Sequence, residues 1–236
     1  MALLNKYRSQ LPPDLFTKPF ELPVTDGTGN NRDELRGALA LLEQAGWKVQ
    51  DRKLVDASGN PFSFEILLDQ PTFERVALPY VQWLSRLGID ARVRTVDPAQ
   101  FQRLIDNYDF DMIVVTYGES ESPGNEQSGY WTCDSAKAEG GWNLMGVCSP
   151  VIDDLVHQVV AAPDRAHLLV ATHALDRVLL SGWYVVPNWH LQSVRAVYWD
   201  RFGRVNKPVR TGLAFDAWWI DPVKSAAIDA ARSHGP

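Results

Sequence analysis

The sequence predicts an α/β fold in which a mixed, mostly parallel sheet is flanked by helices. The main evidence is an extended segment at 89–96, a helical segment through 98–105 and an apolar extended segment at 110–116. Strand, helix and strand at this spacing predict a parallel pair of strands. The helix between them has its own start signal, because Asp97 can cap it and Pro98 suits the first helical position.

The elements before this unit are predicted from periodicity and turn residues. Apolar residues at helical spacing follow Asn30 or Asn31, either of which can cap a helix that ends near Gly46. The turn-rich run 56–61 predicts a hairpin between strands at 49–55 and 62–68. A further helix ends at Gly88, and Pro79 within it predicts a kink or a delayed start.

Two helices are predicted in the second half of the chain. Ser149 and Pro150 repeat the pattern of a cap followed by proline, and an apolar stripe continues to about Val159. Another helix follows the Pro163-Asp164 pair and stops near Gly182, after which an extended aromatic segment leads to Trp189.

The composition indicates a globular protein and disfavours two classes of function. With 236 residues, 45% hydrophobic and 22% charged, the chain can bury a substantial core. Its formal charge of −6, without a cluster of Lys and Arg, argues against nucleic-acid binding. No apolar run approaches the roughly 20 residues that cross a bilayer, and no signal-peptide pattern follows Met1. We expect the chain to be a fragment of a longer protein.

The loop that follows the strand at 110–116 is the first place to look for function, because binding groups concentrate on loops held by rigid strands. It is acidic and aromatic, and it contains Cys133 and Cys148, the only cysteines in the chain. They could form one disulfide, which would stabilise the fold by about 3 kcal/mol for a loop of this length, or remain two free thiols. A zinc site is less favoured because no histidine is near either cysteine in sequence.

Several runs in this order resemble the carboxy-terminal half of family 5 extracellular solute-binding proteins, and within them the YejA-like group of ABC transporter components. They are the predicted hairpin together with DGTGNNR (26–32), FERVALPY (73–80), DPAQ (97–100), SPGNEQ (122–127) and LDRVLL (175–180). Each run is weak alone, but the ordered combination is specific and covers nearly the whole chain.

The resemblance implies a lobe of the type II periplasmic-binding-protein kind. The whole protein would be a periplasmic receptor that closes two lobes on an oligopeptide or peptide-like solute and delivers it to ABC permease subunits in the inner membrane. On this basis residues 1–30 are an extended lead-in, 31–200 the carboxy-terminal lobe, and 201–236 a tail that returns to the missing first lobe. The isolated lobe would expose apolar surface and could self-associate.

The resemblance also directs attention to particular residues. Related dipeptide-binding members hold the peptide's amino group with an acidic residue after the equivalent strand, and they have a cysteine pair just downstream. The cysteine pair of those members favours a Cys133–Cys148 disulfide. Their acidic residue corresponds to the segment 118–123 and not to one residue, because the Asp-Pro pair of those members is absent here. The candidate ligand-binding residues are Glu119, Glu121, Asn125, Glu126, Trp131, Trp142, Asn143 and Trp189, the last followed by His190.

Other interpretations remain for these residues and for the chain. The carboxylates could belong to a solvated loop, the tryptophans to the core, and Asn143 to a turn. An enzyme is disfavoured, because Glu119 and Glu121 are on one loop rather than facing across a bond and no phosphate loop or nucleophile elbow is present. No cofactor or metal is expected. The alternative function is a protein interaction module with an acidic, aromatic loop and no small-molecule pocket.

Overall fold

The computed structural model describes residues 2–120, 122–189, 195–205 and 213–233. The chain divides into two compact units, Met1–Tyr184 and Val185–Pro236. In the first unit the helices are α1 (Asp14–Thr17), α2 (Arg32–Gln44), α3 (Glu74–Ser85), α4 (Pro98–Asp106), α5 (Glu126–Trp131), α6 (Pro150–Val160) and α7 (Arg165–Ser181). Its strands are β1 (Lys48–Gln50), β2 (Lys53–Val55), β3 (Ser63–Leu68), β4 (Asp90–Thr95) and β5 (Met112–Ile113).

Three strands form a parallel sheet in the order β4–β3–β5. Ser63 lies opposite Asp90 and Leu68 opposite Thr95, so β4 pairs along all of β3, whereas β5 pairs only at Ile66 and Leu67 of β3. The predicted α/β class is confirmed, and so is the parallel direction of the two strands joined by α4. These strands are not neighbours, however, because β3 lies between them.

The predicted hairpin between 49–55 and 62–68 is wrong. The antiparallel pair is β1 with β2, joined by Asp51 and Arg52, which both have positive φ as in the tight turns of two-residue hairpins. The run 56–61 forms a separate turn, closed by the Asp56 carboxylate, and leaves only an isolated bridge between Val55 and Pro61. Since both edges of β3 are already paired in the parallel sheet, that strand has no edge left for β2.

The helices begin at the predicted positions, but the predicted capping residues do not all make a capping hydrogen bond. Asp97 caps α4 by accepting hydrogen bonds from the backbone N–H groups of Ala99 and Gln100. Asn31 and Ser149 lie at the N-cap positions of α2 and α6, yet neither side chain makes a capping hydrogen bond. Pro79 lies inside α3, which continues to Ser85.

The sheet layer and the helical layer have separate cores. Ile66 and Leu68 of β3 pack with Ala77 of α3, while Leu54 packs with Ile89 and Ala91 under the apolar side of α2. The third and largest cluster joins α6 and α7 through buried residues that include Val151, Ile152, Leu155, Val156, Val159, Ala171, Ala174, Leu175 and Val178.

The first residues complete this helical core and are not simply extended, as the sequence had suggested. Ala2–Tyr7 forms a 3-10 helix whose Leu4 is fully buried. Lys6 donates to the Asp154 carboxylate of α6 at 2.8 Å, and the Tyr7 hydroxyl donates to the same group. The Arg177 guanidinium of α7 donates to the carbonyl oxygen of Leu15 at 2.7 Å. Side-chain contacts with distant helices thus determine the conformation of a segment that has no periodicity of its own.

The second unit contains a small antiparallel pair and one helix. Strands β6 (Phe202–Gly203) and β7 (Trp219–Ile220) precede α8 (Pro222–Ser233). Rings of Tyr198, Phe202 and Phe215 surround Trp218, with centroid distances of 4.9 to 5.7 Å. Among the residues that the structure describes, no helix is long and apolar enough to cross a membrane.

Candidate ligand-binding site

The candidate site lies beyond the carboxyl ends of β3 and β5. Ligands of open α/β sheets bind at this edge, because connecting loops there leave a crevice. After β5 the chain passes through 114–116 into residues 117–126, which we call the acidic loop. A cavity of about 210 Å³ lies beside residues 114–116 and is otherwise lined by Leu67, Leu68, Asp69, Gln70, Phe73 and Phe101.

Gln127 is the central hydrogen-bonding residue of this site. Its side-chain Nε2 donates to Oε2 of Glu119 at 2.8 Å, and its Oε1 accepts from the indole Nε1 of Trp131 at 2.9 Å. Gln127 is 5% exposed, and its backbone N–H donates to the carbonyl of Gly124. A single buried amide therefore connects the acidic loop to α5.

Glu119 is a solvent-accessible carboxylate without a compensating positive charge among the described residues. Partial burial raises the pKa of Glu119, the hydrogen bond from Gln127 opposes this, and the negative charge of Glu126 raises the pKa further. Only Oε2 receives a hydrogen bond from the described part of the chain. Its Oε1 is thus available to a ligand cation, for which a charge-assisted hydrogen bond would be strong.

Glu126 has a different role, although it belongs to the same loop. Its Oε1 accepts the backbone N–H of Gly124 at 2.7 Å. This hydrogen bond is the main reason that the pKa of Glu126 lies below its ordinary value. Glu126 therefore holds the turn that begins α5. Asn125, just before it, is exposed and its side chain makes no capping hydrogen bond.

An aromatic cluster of Tyr117, Tyr130 and Trp131 lies next to the carboxylates. Tyr117 stacks on Trp131 with ring centroids 5.7 Å apart and meets Tyr130 edge-on at 5.0 Å. The Tyr117 hydroxyl donates to the carbonyl oxygen of Trp142 at 2.9 Å, and partial burial raises the pKa of Tyr117. The Trp142 ring itself is 60% exposed. Aromatic faces beside a carboxylate suit a cationic or amphipathic ligand.

Asn143 has the turn role that the sequence left open. It is fully buried, and its Nδ2 donates to the carbonyls of Thr132 at 2.9 Å and Val147 at 2.7 Å. Its Oδ1 accepts the backbone N–H of Val147 at 2.9 Å. Since these partners all lie between 132 and 147, Asn143 stabilises this segment from within.

The predicted disulfide between Cys133 and Cys148 is confirmed, with Cα atoms 4.2 Å apart. The backbone N–H of Cys133 also donates to the Asp153 carboxylate of α6 at 2.9 Å. The segment that carries Trp142 is thus closed covalently and attached to the helical layer.

The structure brings some of the predicted residues together and separates others. Glu119, Glu126 and Trp131 meet around Gln127, and Trp142 joins them through Tyr117. Trp189 belongs to the second unit, where it is 62% exposed. Glu121 and His190 lie outside the described residues. Within the described ranges, no three His, Cys, Asp or Glu side chains form a group that could hold a metal ion.

Sequence reasoning missed Gln127, Tyr117 and Tyr130. The spacing of Gln127 and Trp131, four positions apart in a helix, indicates that their side chains can meet. Tyr117 likewise directly follows the extended segment predicted at 110–116, a position at the edge of the sheet. No comparable local signal connects Gln127 to Glu119, because the loop between them determines that contact.

A family model for the bacterial extracellular solute-binding proteins, family 5, matches residues 6–139 of this chain. The chain belongs to this family. Its members bind solutes rather than transform them, and the YejA-like resemblance is confirmed by relatives of that name.

Two relatives from Agrobacterium fabrum illustrate the similarity. The protein named "Probable peptide-binding protein YejA" is 37% identical over 221 residues, which is 93% of this chain and 36% of that protein. The "Peptidoglycan-binding protein YepA" is 32% identical over 219 residues, again 93% of this chain and 36% of that protein. This chain thus spans about a third of the length of the curated relatives it matches.

The fold is similar to that of solved solute-binding proteins. The oligopeptide-binding protein AppA of Bacillus subtilis, solved with a nonapeptide, matches with a TM-score of 0.57 and 19% identity. The match covers 78% of this chain and 37% of AppA. At this identity the similarity concerns the fold alone.

Proposed function

We propose that this chain provides one ligand-contacting lobe of the substrate-binding component of an ABC importer. The whole protein would bind oligopeptides or peptide-like solutes between two lobes in the periplasm and deliver them to permease subunits in the inner membrane. Residues 31–200 would form most of the lobe, residues 1–30 would belong to it through the helical core that Leu4, Tyr7 and Leu15 complete, and residues 201–236 would form its returning tail. Ligand would favour the closed arrangement by contacts that only that arrangement provides.

The observation that carries this proposal is the environment of Glu119. A partly desolvated carboxylate, bonded on one oxygen and open on the other, is suited to the protonated amine of a peptide. The exposed ring of Trp142 offers apolar surface to a solute, and the cavity that follows β5 offers a lining of both polar and apolar groups. Family membership supports the class of function, and the environment of Glu119 supports a ligand that carries a protonated amine.

The test is calorimetric titration of short peptides into two proteins. One is this chain alone, and the other is the Agrobacterium fabrum YejA protein in which residues 1–236 replace the matching segment. The ligand panel contains peptides with a free amino terminus, the same peptides N-acetylated, and peptides released from peptidoglycan, since a relative is named for binding that polymer. The unaltered relative is the positive control.

Binding of free-amine peptides by the chimera, and weak or absent binding by the chain alone, would support a lobe that needs its partner. A folded chimera that binds none of the panel, beside a relative that does, would contradict the proposal. That second result would favour an interaction module without a small-molecule pocket.

A further inference from the structure

The orientation of the Gln127 side-chain amide is determined by Trp131. An indole N–H can only donate a hydrogen bond, so the group facing it must be the amide oxygen. Oε1 of Gln127 is indeed the acceptor, at 2.9 Å from the indole Nε1. The NH₂ group must then point the other way, where it meets Oε2 of Glu119 at 2.8 Å.

The position of Trp131 is itself constrained. Its ring stacks on Tyr117, whose hydroxyl is bonded to the carbonyl oxygen of Trp142 in the disulfide-closed segment. Gln127 is 5% exposed, so solvent does not replace either of its hydrogen bonds. The donor that Glu119 receives is therefore fixed in place before any ligand arrives.

A fixed N–H donor stabilises the ionised form of a carboxylate. Here it opposes two influences that favour the neutral form, namely partial burial and the negative charge of Glu126. It also occupies one oxygen of Glu119, and the other accepts no hydrogen bond from the residues that the structure describes. The result is a negatively charged Glu119 carboxylate whose orientation is set by its hydrogen bond from Gln127.

We propose that Gln127 is a positioning residue that holds Glu119 ionised and oriented, and thereby makes the site select solutes that carry a protonated amine. This inference rests on the proposed function, since it concerns the same ligand site. Gln127 itself contacts Glu119, Glu126 and Trp131, and it acts on the solute only through Glu119.

The central variant is Gln127→Met, which keeps the length and burial of the side chain but cannot donate. The variant Trp131→Phe keeps Gln127 and removes the indole N–H that orients its amide, so it tests the same mechanism if Gln127→Met fails to fold. Ser128→Ala is the matched control, because Ser128 is the next residue of α5 and its side chain is exposed.

Two measurements distinguish positioning from a merely structural role. The first is the titration of the Glu119 side-chain carboxyl carbon by NMR in this chain, which needs no ligand. The second is the ratio of affinities for a free-amine peptide and its N-acetylated form, measured in the chimera. If the role of Gln127 were only structural, the variant would weaken the binding of both peptides equally and leave the affinity ratio unchanged.

We expect Gln127→Met to raise the pKa of Glu119 further and to reduce the affinity ratio by about tenfold, the size of one charge-assisted hydrogen bond. Trp131→Phe should produce the same two changes at smaller size, and Ser128→Ala neither. An unchanged pKa, or an unchanged ratio, in a folded Gln127→Met protein would overturn the inference. If the wild-type chimera binds neither peptide, the proposed function fails instead.

Discussion

Glu119 and Glu126 show how the local environment separates two carboxylates of one loop. A backbone N–H donor lowers the pKa of Glu126, whereas partial burial raises that of Glu119. The Glu126 carboxylate therefore stabilises the turn at Gly124, whereas Glu119 keeps one oxygen that accepts no hydrogen bond from the described residues. Two residues of the same type thus differ because of their hydrogen-bond partners, and Glu119 is the one that we propose for ligand binding.

Replacing Glu119 should affect binding and stability differently. A carboxyl whose pKa is raised by folding binds its proton more tightly in the folded state, so its contribution to stability falls as pH rises from the ordinary value through the raised one. At pH 7 Glu119→Gln should leave the free energy of unfolding unchanged or slightly higher. The substitution should weaken the binding of free-amine peptides about tenfold or more.

Urea unfolding of the chain and calorimetry of the chimera test this prediction. In the wild type, binding of free-amine peptides should also weaken as pH falls through the raised pKa of Glu119, because the carboxylate becomes neutral. A marked loss of stability in Glu119→Gln together with intact peptide binding would contradict the assignment.

Asn143 provides a stability test inside the disulfide-closed segment. Asn143→Ala removes three hydrogen bonds to the backbone of Thr132 and Val147 and leaves buried groups unpaired. We expect a loss of about 2–3 kcal/mol in the free energy of unfolding, measured by urea denaturation. Asn125→Ala is the control, since Asn125 is exposed and makes no capping bond, and it should stay within about 0.5 kcal/mol of wild type.

At the scale of elements, α4 and α6 begin with the same sequence pattern but are capped differently. Asp97 accepts two backbone N–H groups, whereas Ser149, also followed by proline, accepts none with its side chain. The helix α6 instead gains its stability from the buried stripe that packs on α7. A start signal in sequence therefore predicts where a helix begins, but it does not establish that the capping hydrogen bond is formed.

This difference predicts unequal costs for two similar substitutions. Asp97→Ala should lower the free energy of unfolding by about 1 kcal/mol, the usual value of an N-cap. Ser149→Ala should change it by less than about 0.5 kcal/mol, as expected for a side chain without such a contact. Equal losses in urea denaturation of the two variants would show that the capping contacts differ from those described.

On the scale of the whole molecule, the helical layer is assembled from the two ends of the first unit. Leu4, Tyr7 and Leu15 complete a core whose other members lie between 147 and 178. Lys6 and Asp154, 148 residues apart, form the ion pair at its surface. The first residues are therefore part of the folded unit and not an appendage.

Truncation of a single side chain tests this arrangement. Leu4 is fully buried, so Leu4→Ala should lower the free energy of unfolding by about 2–5 kcal/mol. Leu22 is 47% exposed, and Leu22→Ala should cost far less. A Leu4→Ala protein as stable as Leu22→Ala in urea would mean that the amino-terminal segment does not pack on α6 and α7.

The features that sequence predicted are those with local causes. Asp97 next to Pro98, the apolar stripes of the helices and the parallel direction of the strands all follow from neighbouring residues. The hairpin at 56–61 was mispredicted because the pairing of β3 depends on β4 and β5, which are distant in sequence. Gln127 was missed for the same reason, since its importance arises from Glu119 and Trp131 meeting in space.

The docking of the amino-terminal segment also bears on how the chain is made. A ribosome synthesises Leu4 long before Leu175 and Val178, the residues with which it shares a core. Until those residues emerge, the growing chain has no way to finish its helical layer, and contacts of such large sequence separation form slowly. The segment that carries Leu4 therefore stays without its packing partners while the residues up to Val178 are being made, and the helical layer closes only after them.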